Sequence, residues 1–432
     1  MNREMKNSNI PWIGDIPATW TTCLIKQVMR NKSIKGYPNE TVLSLYRDYG
    51  VIPKDSRSDN HNITSEDTSN YKFVEVGDFV INKMKAWQGS MAVSDYQGII
   101  SPAYYICRFT SNDIYKRYIH YLLRNETYKT EYMRLSSGLR VGQWDLNVED
   151  FLRIPMVLPL YTEQKAIADF LDKKCGEIDE LVALQEKIIE ELKSYKQSVI
   201  TETVCKGLNP NAPMKDSGVE WIGEIPEGWN LRYIKDVATF HNGDRGVNYP
   251  SGDDLVSDGI PFLTSNNLHQ LLLDIEKYTC KYITLDRYNI LGGVKIQLDD
   301  IIYCLRGSIG NCTLNKQITE GTVASSLMVI RPRYISPEYL NYYLHSHIVS
   351  AQTEVYMNGT CAANLSAENV SKFNIHIPPA EEQQEIADYL DKKCSEIDQL
   401  ISIKQQKVVE LKEYKKSLIY EYTTGKKEVA HA

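Results

Sequence analysis

Residues 162–182 read TEQKAIADFLDKKCGEIDELV, and residues 381–401 read EEQQEIADYLDKKCSEIDQLI. Carried on to residues 203 and 422, the two stretches agree at 22 of 42 positions, at an offset of 219. An agreement of that length is a tandem duplication, and a repeat constrains architecture before any single residue does. A shorter pair supports it. WIGDIPATW at 12–20 and WIGEIPEGW at 221–229 share six of nine positions, at an offset of 209. The ten-residue difference falls between the matched segments, where residues 21–158 and 230–377 share little. The plan is a short motif, a variable region and a long repeated segment, and then all three again.

Both long segments are predicted to be helices. Pro159 and the pair Pro378 and Pro379 stand just before them, Gly207 and Gly425 lie just past their ends, and no proline interrupts them. The first carries an apolar stripe at Ile167, Leu171, Ile178, Leu181, Ile188, Leu192, Tyr195 and Val199, with Lys174 and Gln185 in its gaps. The second repeats it at Ile386, Leu390, Ile397, Leu400, Leu411, Tyr414 and Leu418, interrupted by Lys393, Lys404 and Lys407. Alternating steps of three and four make a helix-packing seam. A helix of this length spans about 60 Å. With so narrow an apolar face it needs a partner, and the nearest candidate is its own repeat. The expected fold is α+β: two α/β domains joined by two long antiparallel coiled-coil helices with internal pseudo-two-fold symmetry. The expected boundaries are 1–158, 159–206, 207–377 and 378–432. The stripe itself reads as a spacer rather than a site.

Inside the variable regions, residues 41–46, 78–82, 99–107, 260–264, 300–305 and 327–331 read as short strands. Tyr, Leu and Ile recur at helical spacing over 113–133 and 337–355. Most of the 29 tyrosines fall in these regions.

The net charge is −7 and the isoelectric point about 5.7. That counts against a simple nucleic-acid binder, which carries a basic face. The charge is unevenly placed, however. Residues 162–203 hold ten acidic and six basic side chains, and residues 381–422 hold ten and seven, so the two helices account for the whole excess. Residues 21–158 carry 18 basic and 15 acidic side chains; residues 230–377 carry 12 and 14. Non-specific phosphate binding by this chain alone is therefore expected to be weak. Nine cysteines, an odd number with no Cys-x-x-Cys pair, read as reduced thiols rather than a metal site. No apolar run approaches the ~18 residues needed to span a bilayer. The polar start, Met1 to Ile10, gives no secretory signal. The expected compartment is the cytoplasm.

Polar, glycine-rich loops punctuate both variable regions. In the first they present Arg47, then Lys83, Lys85, Trp87 and Gln88, then Arg140 and Gln143. In the second they present Asn242 and Arg245, Asn266 and Asn267, Arg306 and Ser308, and Asn358. Arg and Lys pair with guanine, and Asn and Gln with adenine, through two hydrogen bonds each. These residues are candidate base readers, although ordinary protein surfaces also carry such loops.

Motifs of catalysis are missing. There is no Gly-x-x-x-x-Gly-Lys-Ser/Thr, no glycine-rich dinucleotide turn, no His-Glu-x-x-His and no Gly-x-Ser-x-Gly. Asn209-Pro210-Asn211 is not the Asn/Asp-Pro-Pro-Tyr/Phe of an amino-methyltransferase. Asp299-Asp300 lacks the following Glu-x-Lys of a nuclease.

The chain resembles, over nearly its whole length, the specificity subunits of type I restriction-modification systems. The resemblance rests on Trp12-Ile13-Gly14 with Ile16-Pro17, on Trp221-Ile222-Gly223 with Ile225-Pro226, and on the helix starts Pro159 to Gln164 and Pro378 to Gln383. Ile-Ala-Asp, Ile-Asp and Glu-Leu-Lys-x-Tyr-Lys follow each start. Gly77-Asp78 and Ser101-Pro102-Ala103-Tyr104 are also similar to the family. It implies two target-recognition domains held apart by paired helices acting as a ruler, each domain reading half of a bipartite duplex site. It implies no chemistry in this chain. The partners would be two modification subunits, which bind S-adenosylmethionine and methylate adenine, and restriction subunits, which use ATP and Mg. Two other readings stay open: a repeat-built scaffold binding only proteins, and an enzyme with an unrecognised site. If the resemblance holds, exchanging residues 21–158 for another such region changes one half of the methylated motif and leaves the other. Methylome sequencing that found both halves changed would refute independent readers.

Overall fold

The computed structural model describes residues 3–47, 49–57, 64, 67–138, 144–357 and 365–429. The repeated segments form helices at Tyr161–Lys206 and Ala380–Thr423, of 46 and 44 residues. The chain divides into two compact units, Met1–Glu186 with Gln406–Ala432, and Lys187–Gln405. Each therefore holds one variable region, the start of one long helix and the end of the other.

Within unit one the two helix halves run antiparallel. Phe170 packs on Tyr422, Asp179 pairs with Lys415 at 2.6 Å, and Glu186 pairs with Lys412 at 3.0 Å. Unit two pairs Lys196 with Asp398 at 2.7 Å, at the positions that correspond to Lys415 and Asp179. Such exposed pairs are worth at most about 1 kcal/mol each. Burial does more. Leu171 and Leu390 are fully enclosed, each worth roughly 2–3 kcal/mol.

The buried stripe differs from the expected one. It runs through Ile167, Ile178, Ile189 and Ile200, and through Ile386, Ile397 and Val408, in steps of eleven. Eleven residues in three turns is about 3.67 per turn, against 3.5 for a heptad. A heptad count from Ile178 lands on Leu181; the longer period selects Val182. Leu181 and Leu400 are accordingly 46% and 47% exposed, Tyr195 and Tyr414 are exposed as well, and Leu192 and Leu411 are half-buried. The thiols of Cys175 and Cys394 sit in the stripe, where burial pushes each up to about 11.

The short repeated motifs fasten each variable region to a helix start. Trp20 and Trp229 are fully buried, and their indole N–H groups donate to Glu163 at 3.0 Å and Glu382 at 2.9 Å. Gln164 donates to the carbonyls of Asp113 and Pro159 and accepts from Tyr115 N–H. Gln383 likewise donates to Pro378 and accepts from Ser336 N–H. The opposite helix end is fastened too. The Tyr118 hydroxyl lies 3.0 Å from the Thr423 carbonyl, and that of Tyr339 lies 3.2 Å from the Val204 carbonyl. Gly425 and Gly207 close the helices at φ 73° and 71°. A Cβ on Gly425 would clash with the Pro17 ring, and one on Gly207 would meet Glu382 at 2.7 Å.

Each variable region is built on a four-stranded antiparallel sheet of the same order. Unit one has Met29–Lys32, Tyr104–Phe109, Phe79–Asn82 and Met91–Val93; unit two has Ala238–Asn242, Leu327–Pro332, Ile301–Cys304 and Cys312–Leu314. Around this sheet the regions differ. Unit two adds a second four-stranded sheet with a parallel pair, Ile260–Leu263 with Thr322–Val323. Unit one carries two-stranded pairs, Leu43–Tyr46 with Gly50–Pro53 and Lys72–Val74 with Gly98–Ile100.

The stretches with helical spacing hold short helices, and one strand-like run is interrupted. Residues 113–133 form two helices, Lys116–Leu122 and Glu126–Leu135, because the Asn125 side chain caps the second by accepting from Tyr128 N–H. Residues 337–355 divide into Pro337–Leu344 and His347–Met357, with the Ser346 hydroxyl donating back to the Tyr343 carbonyl. The strand over 99–107 is interrupted at Ser101-Pro102, where proline lacks a ladder donor.

The revised stripe separates two neighbouring positions. Ile178→Ala is expected to cost about 2–4 kcal/mol in urea unfolding, and Leu181→Ala about 0.5 kcal/mol or less. Equal losses would restore the heptad seam.

Candidate functional site

In unit one, three of the loops picked out by residue type meet. The Arg47 guanidinium donates to Gln88 Oε1 at 2.6 Å, and Arg124 donates to the Arg47 carbonyl. Residues 86–88 make one 3-10 turn ended by Gly89 at φ 80°. The Trp87 ring packs on Trp144 with centroids 5.3 Å apart, and its N–H donates to the Met84 carbonyl. Lys85 and Met84 point into solvent. The Leu146 N–H donates to the Lys83 carbonyl, which draws the chain after residue 143 against the same turn. Arg140 and Gln143 lie outside the described residues. Beside this cluster the Arg57 guanidinium lies 4.3 Å from the Tyr49 ring and 5.7 Å from that of Tyr46.

Residue type alone picked out Lys83 but missed two lysines that gather beside it, Lys35 and Lys72. Lys72 donates to the Tyr104 carbonyl at 2.6 Å and lies 5.4 Å from the Tyr105 ring. Tyr104 is opposite Asn82 in the sheet, one residue from Lys83. The Phe73 N–H donates to the Ile34 carbonyl, which brings Lys35 alongside. Burial first, and then the charges of Lys83 and Lys35, hold the Lys72 ammonium below the usual lysine range. Only the folded register gathers these three side chains.

In unit two the loops meet along the segment 323–327. The Gly243 N–H donates to the Leu327 carbonyl, Leu305 N–H to Ser326, and Ala324 N–H to Leu263. This places Asn242 and Arg245, Arg306 and Ser308, and Asn266 around one end of the sheet, all exposed. Asp244 fixes its loop by accepting from the N–H groups of Gly246 and Gly292, bonds that hold its carboxyl below the usual range. Asn267 is a correction. It is 2% exposed, and its Oδ1 accepts from the Thr264 N–H and hydroxyl, so it shapes the turn instead of facing a ligand. Asn358 lies outside the described residues.

The Asp299-Asp300 pair is structural. Asp300 is 1% exposed and takes a bidentate bond from Arg331, at 2.7 and 2.8 Å. Asp299 pairs with Lys316 on the surface. Asp78 takes the corresponding place in unit one, buried against Lys32 at 2.6 Å with Arg108 beyond it; burial raises its carboxyl despite Lys32. One buried aspartate paired to a basic strand residue thus stands at the start of the same strand in each region. Among the described residues, no group of three His, Cys, Asp or Glu is placed to hold a metal, and no helix is long and apolar enough to cross a membrane.

This arrangement, two divergent loop-bearing domains each clamped to paired helices, has known relatives. The type I restriction modification DNA specificity domain matches residues 17–194 and again residues 226–413. The chain is 25% identical over 446 residues to the putative type I restriction enzyme MjaX specificity subunit of Methanocaldococcus jannaschii, covering 96% of this chain and 95% of that one. It is 25% identical over 240 residues to the EcoBI specificity subunit of Escherichia coli, covering 53% and 49%. Among solved structures, a chain from work on complex assembly and conformational transition of the type I R-M system aligns with TM-score 0.71 at 15% identity, covering 94% and 98%. The HsdS subunit from Thermoanaerobacter tengcongensis aligns with TM-score 0.51 at 16% identity, covering 95% and 98%. The chain belongs to the type I restriction-modification DNA specificity family.

The structural reading of the aspartates gives a stability test. Asp300→Asn is expected to cost roughly 3 kcal/mol, because it removes the negative charge that the Arg331 guanidinium faces at a buried site. Asp299→Asn is expected to cost about 0.5 kcal/mol or less. A thermal melt in which both variants behave alike would contradict this assignment.

Proposed function

We propose that this chain reads an asymmetric, bipartite duplex DNA sequence in the cytoplasm and directs partner subunits to it, with no chemistry of its own. The observation that carries the reading is a duplicated frame holding two unlike sets of loops. The repeated Trp–Glu, Gln and Tyr contacts hold each reader to its helices in the same way, while the loops they present differ in sequence and in sheet topology. Two unlike readers imply two unlike half-sites, in contrast to the palindrome read by a symmetric dimer. In the first reader the base-facing candidates are Arg47, Lys85, Trp87 and Gln88; in the second they are Asn242, Arg245, Asn266 and Arg306.

The partners are two modification subunits that bind S-adenosylmethionine and methylate adenine, joined in the restricting form by subunits that use ATP and Mg. The long helices support a stoichiometry of two. Leu181 and Leu184 in unit one are 46% and 51% exposed, and their counterparts in unit two, Leu400 and Ile403, are 47% and 63% exposed. Tyr195 and Tyr414, also a repeated pair, are exposed too. Apolar side chains left outside the seam at repeated positions offer one equivalent patch per unit. Partners of this kind also supply the positive charge that the chain lacks.

The test is single-molecule methylation sequencing of a host expressing the chain with and without its modification subunit. The expected result is a bipartite adenine-methylated motif present only when both are made. A stable complex that methylates no new motif would overturn the reading. With the motif in hand, inserting one helical turn within residues 183–190 is expected to change the unread gap and leave both half-sites intact. Altered half-site bases would show that the helices are not a ruler.

A further inference from the structure

The two readers differ at one corner of their common sheet. In unit one, Asn82 lies opposite Tyr104 and is followed by Lys83; in unit two, Cys304 lies opposite Leu327 and is followed by Leu305, which is 1% exposed. The position after this strand is thus a buried leucine in unit two and a partly exposed lysine in unit one, and the basic side chains that unit two carries at this end, Arg245 and Arg306, are guanidinium groups. There the Lys72 ammonium is held on the Tyr104 carbonyl, with Lys35 reaching the Asn70 side chain nearby. Among the described residues one carboxylate comes within ion-pair reach of the three, Asp145 at 3.7 Å from Lys83, in a loose and half-exposed pair. Like charges gathered with so little compensation repel one another, and an anion relieves that repulsion. A phosphodiester satisfies ammonium groups without regard to base sequence, whereas the planar guanidinium and amide of Arg47 and Gln88 suit base edges. The two groups flank the same 83–88 turn.

We infer that Lys35, Lys72 and Lys83 form a backbone-phosphate grip on the first reader, with no lysine in the place of Lys83 after the equivalent strand of the second reader. The first half-site is therefore held by charge as well as by base contacts. The second, carried by a variable region with more acidic than basic side chains, depends on base contacts and on the partner subunits. This rests on the DNA-reading function proposed above.

The experiment measures binding of a labelled random-sequence duplex by the chain in complex with its modification subunits, across a salt series. Each lysine that meets a phosphate contributes about 0.9 to the slope of log affinity against log salt. Lys72→Gln and Lys83→Gln are each expected to lower that slope by about 0.9, and the double variant by about 1.8. Lys83→Arg, which keeps the charge, is expected to retain it. The methylated motif is expected to stay the same in every variant, because phosphate contacts carry no sequence information. A double variant with unchanged unfolding midpoint and the parent slope would overturn the grip, as would a change of bases in the first half-site. If the parent complex itself shows no salt-dependent binding, the DNA-reading function fails, and the grip with it.

Discussion

A helix of more than forty residues with an apolar stripe one or two side chains wide cannot keep that stripe dry by itself. Everything else in this chain follows from how the stripe is covered. Because the two helices come from a duplication, the same side chains recur at equivalent heights, and each helix start is covered by the end of the other. A compact unit is completed only when residues from distant parts of the chain arrive: Thr423 under Tyr118 in one, Val204 under Tyr339 in the other. The variable regions are thereby fixed to the helices of their own unit through buried Trp, Gln and Tyr contacts. Their loops are relieved of any structural duty toward the helices.

That division of labour explains why sequence similarity is confined where it is. Residues that hold a reader to its rods cannot change without leaving a buried donor or acceptor unmatched, which costs about 1–3 kcal/mol. The interior of each reader is also constrained, by a buried aspartate set against a strand lysine or arginine. The loops beyond the sheet are tied by short side chains that accept from their own backbone N–H groups, as in the Asp244 and Asn267 turns. Side chains such as Arg245, Asn266 and Arg306 can then vary at little cost to stability.

Much of the frame was legible in the sequence because duplication and helix periodicity are local or nearly so. The limits of that legibility are physical. The stripe was displaced at Leu181 because 3.5 and 3.67 residues per turn diverge by a residue within about three heptads. The helical spacing over 113–133 and 337–355 marks the short helices there but not their break points, which Asn125 and Ser346 set by capping or closing a turn. Asn267 looked like a reader because residue type does not reveal which way a short amide faces. Arg47 and Gln88 could be suspected singly, but their bond joins residues 41 positions apart. The lysine corner was the least visible part. Lys35 and Lys72 are unremarkable in sequence, Lys83 could be suspected only singly, and the pairing of four strands is what makes the three neighbours.

The same point resolves the charge of the chain. A net charge of −7 describes the whole molecule, but a duplex meets local fields that salt screens within about 10 Å. The acidic excess belongs to the rods, whose lysines are largely engaged by neighbouring carboxylates along the helix or across the pair. The first reader gathers a few ammonium groups against a single loosely paired carboxylate, Asp145, while the second reader's region holds more acidic than basic side chains. An acidic protein with one basic corner binds non-specific DNA weakly, and its residence at a site is therefore decided by base contacts and partners. For a subunit whose task is to discriminate among sequences, weak background binding improves the ratio of specific to non-specific occupancy. The acidity that first argued against a DNA reader is thus compatible with one that discriminates well.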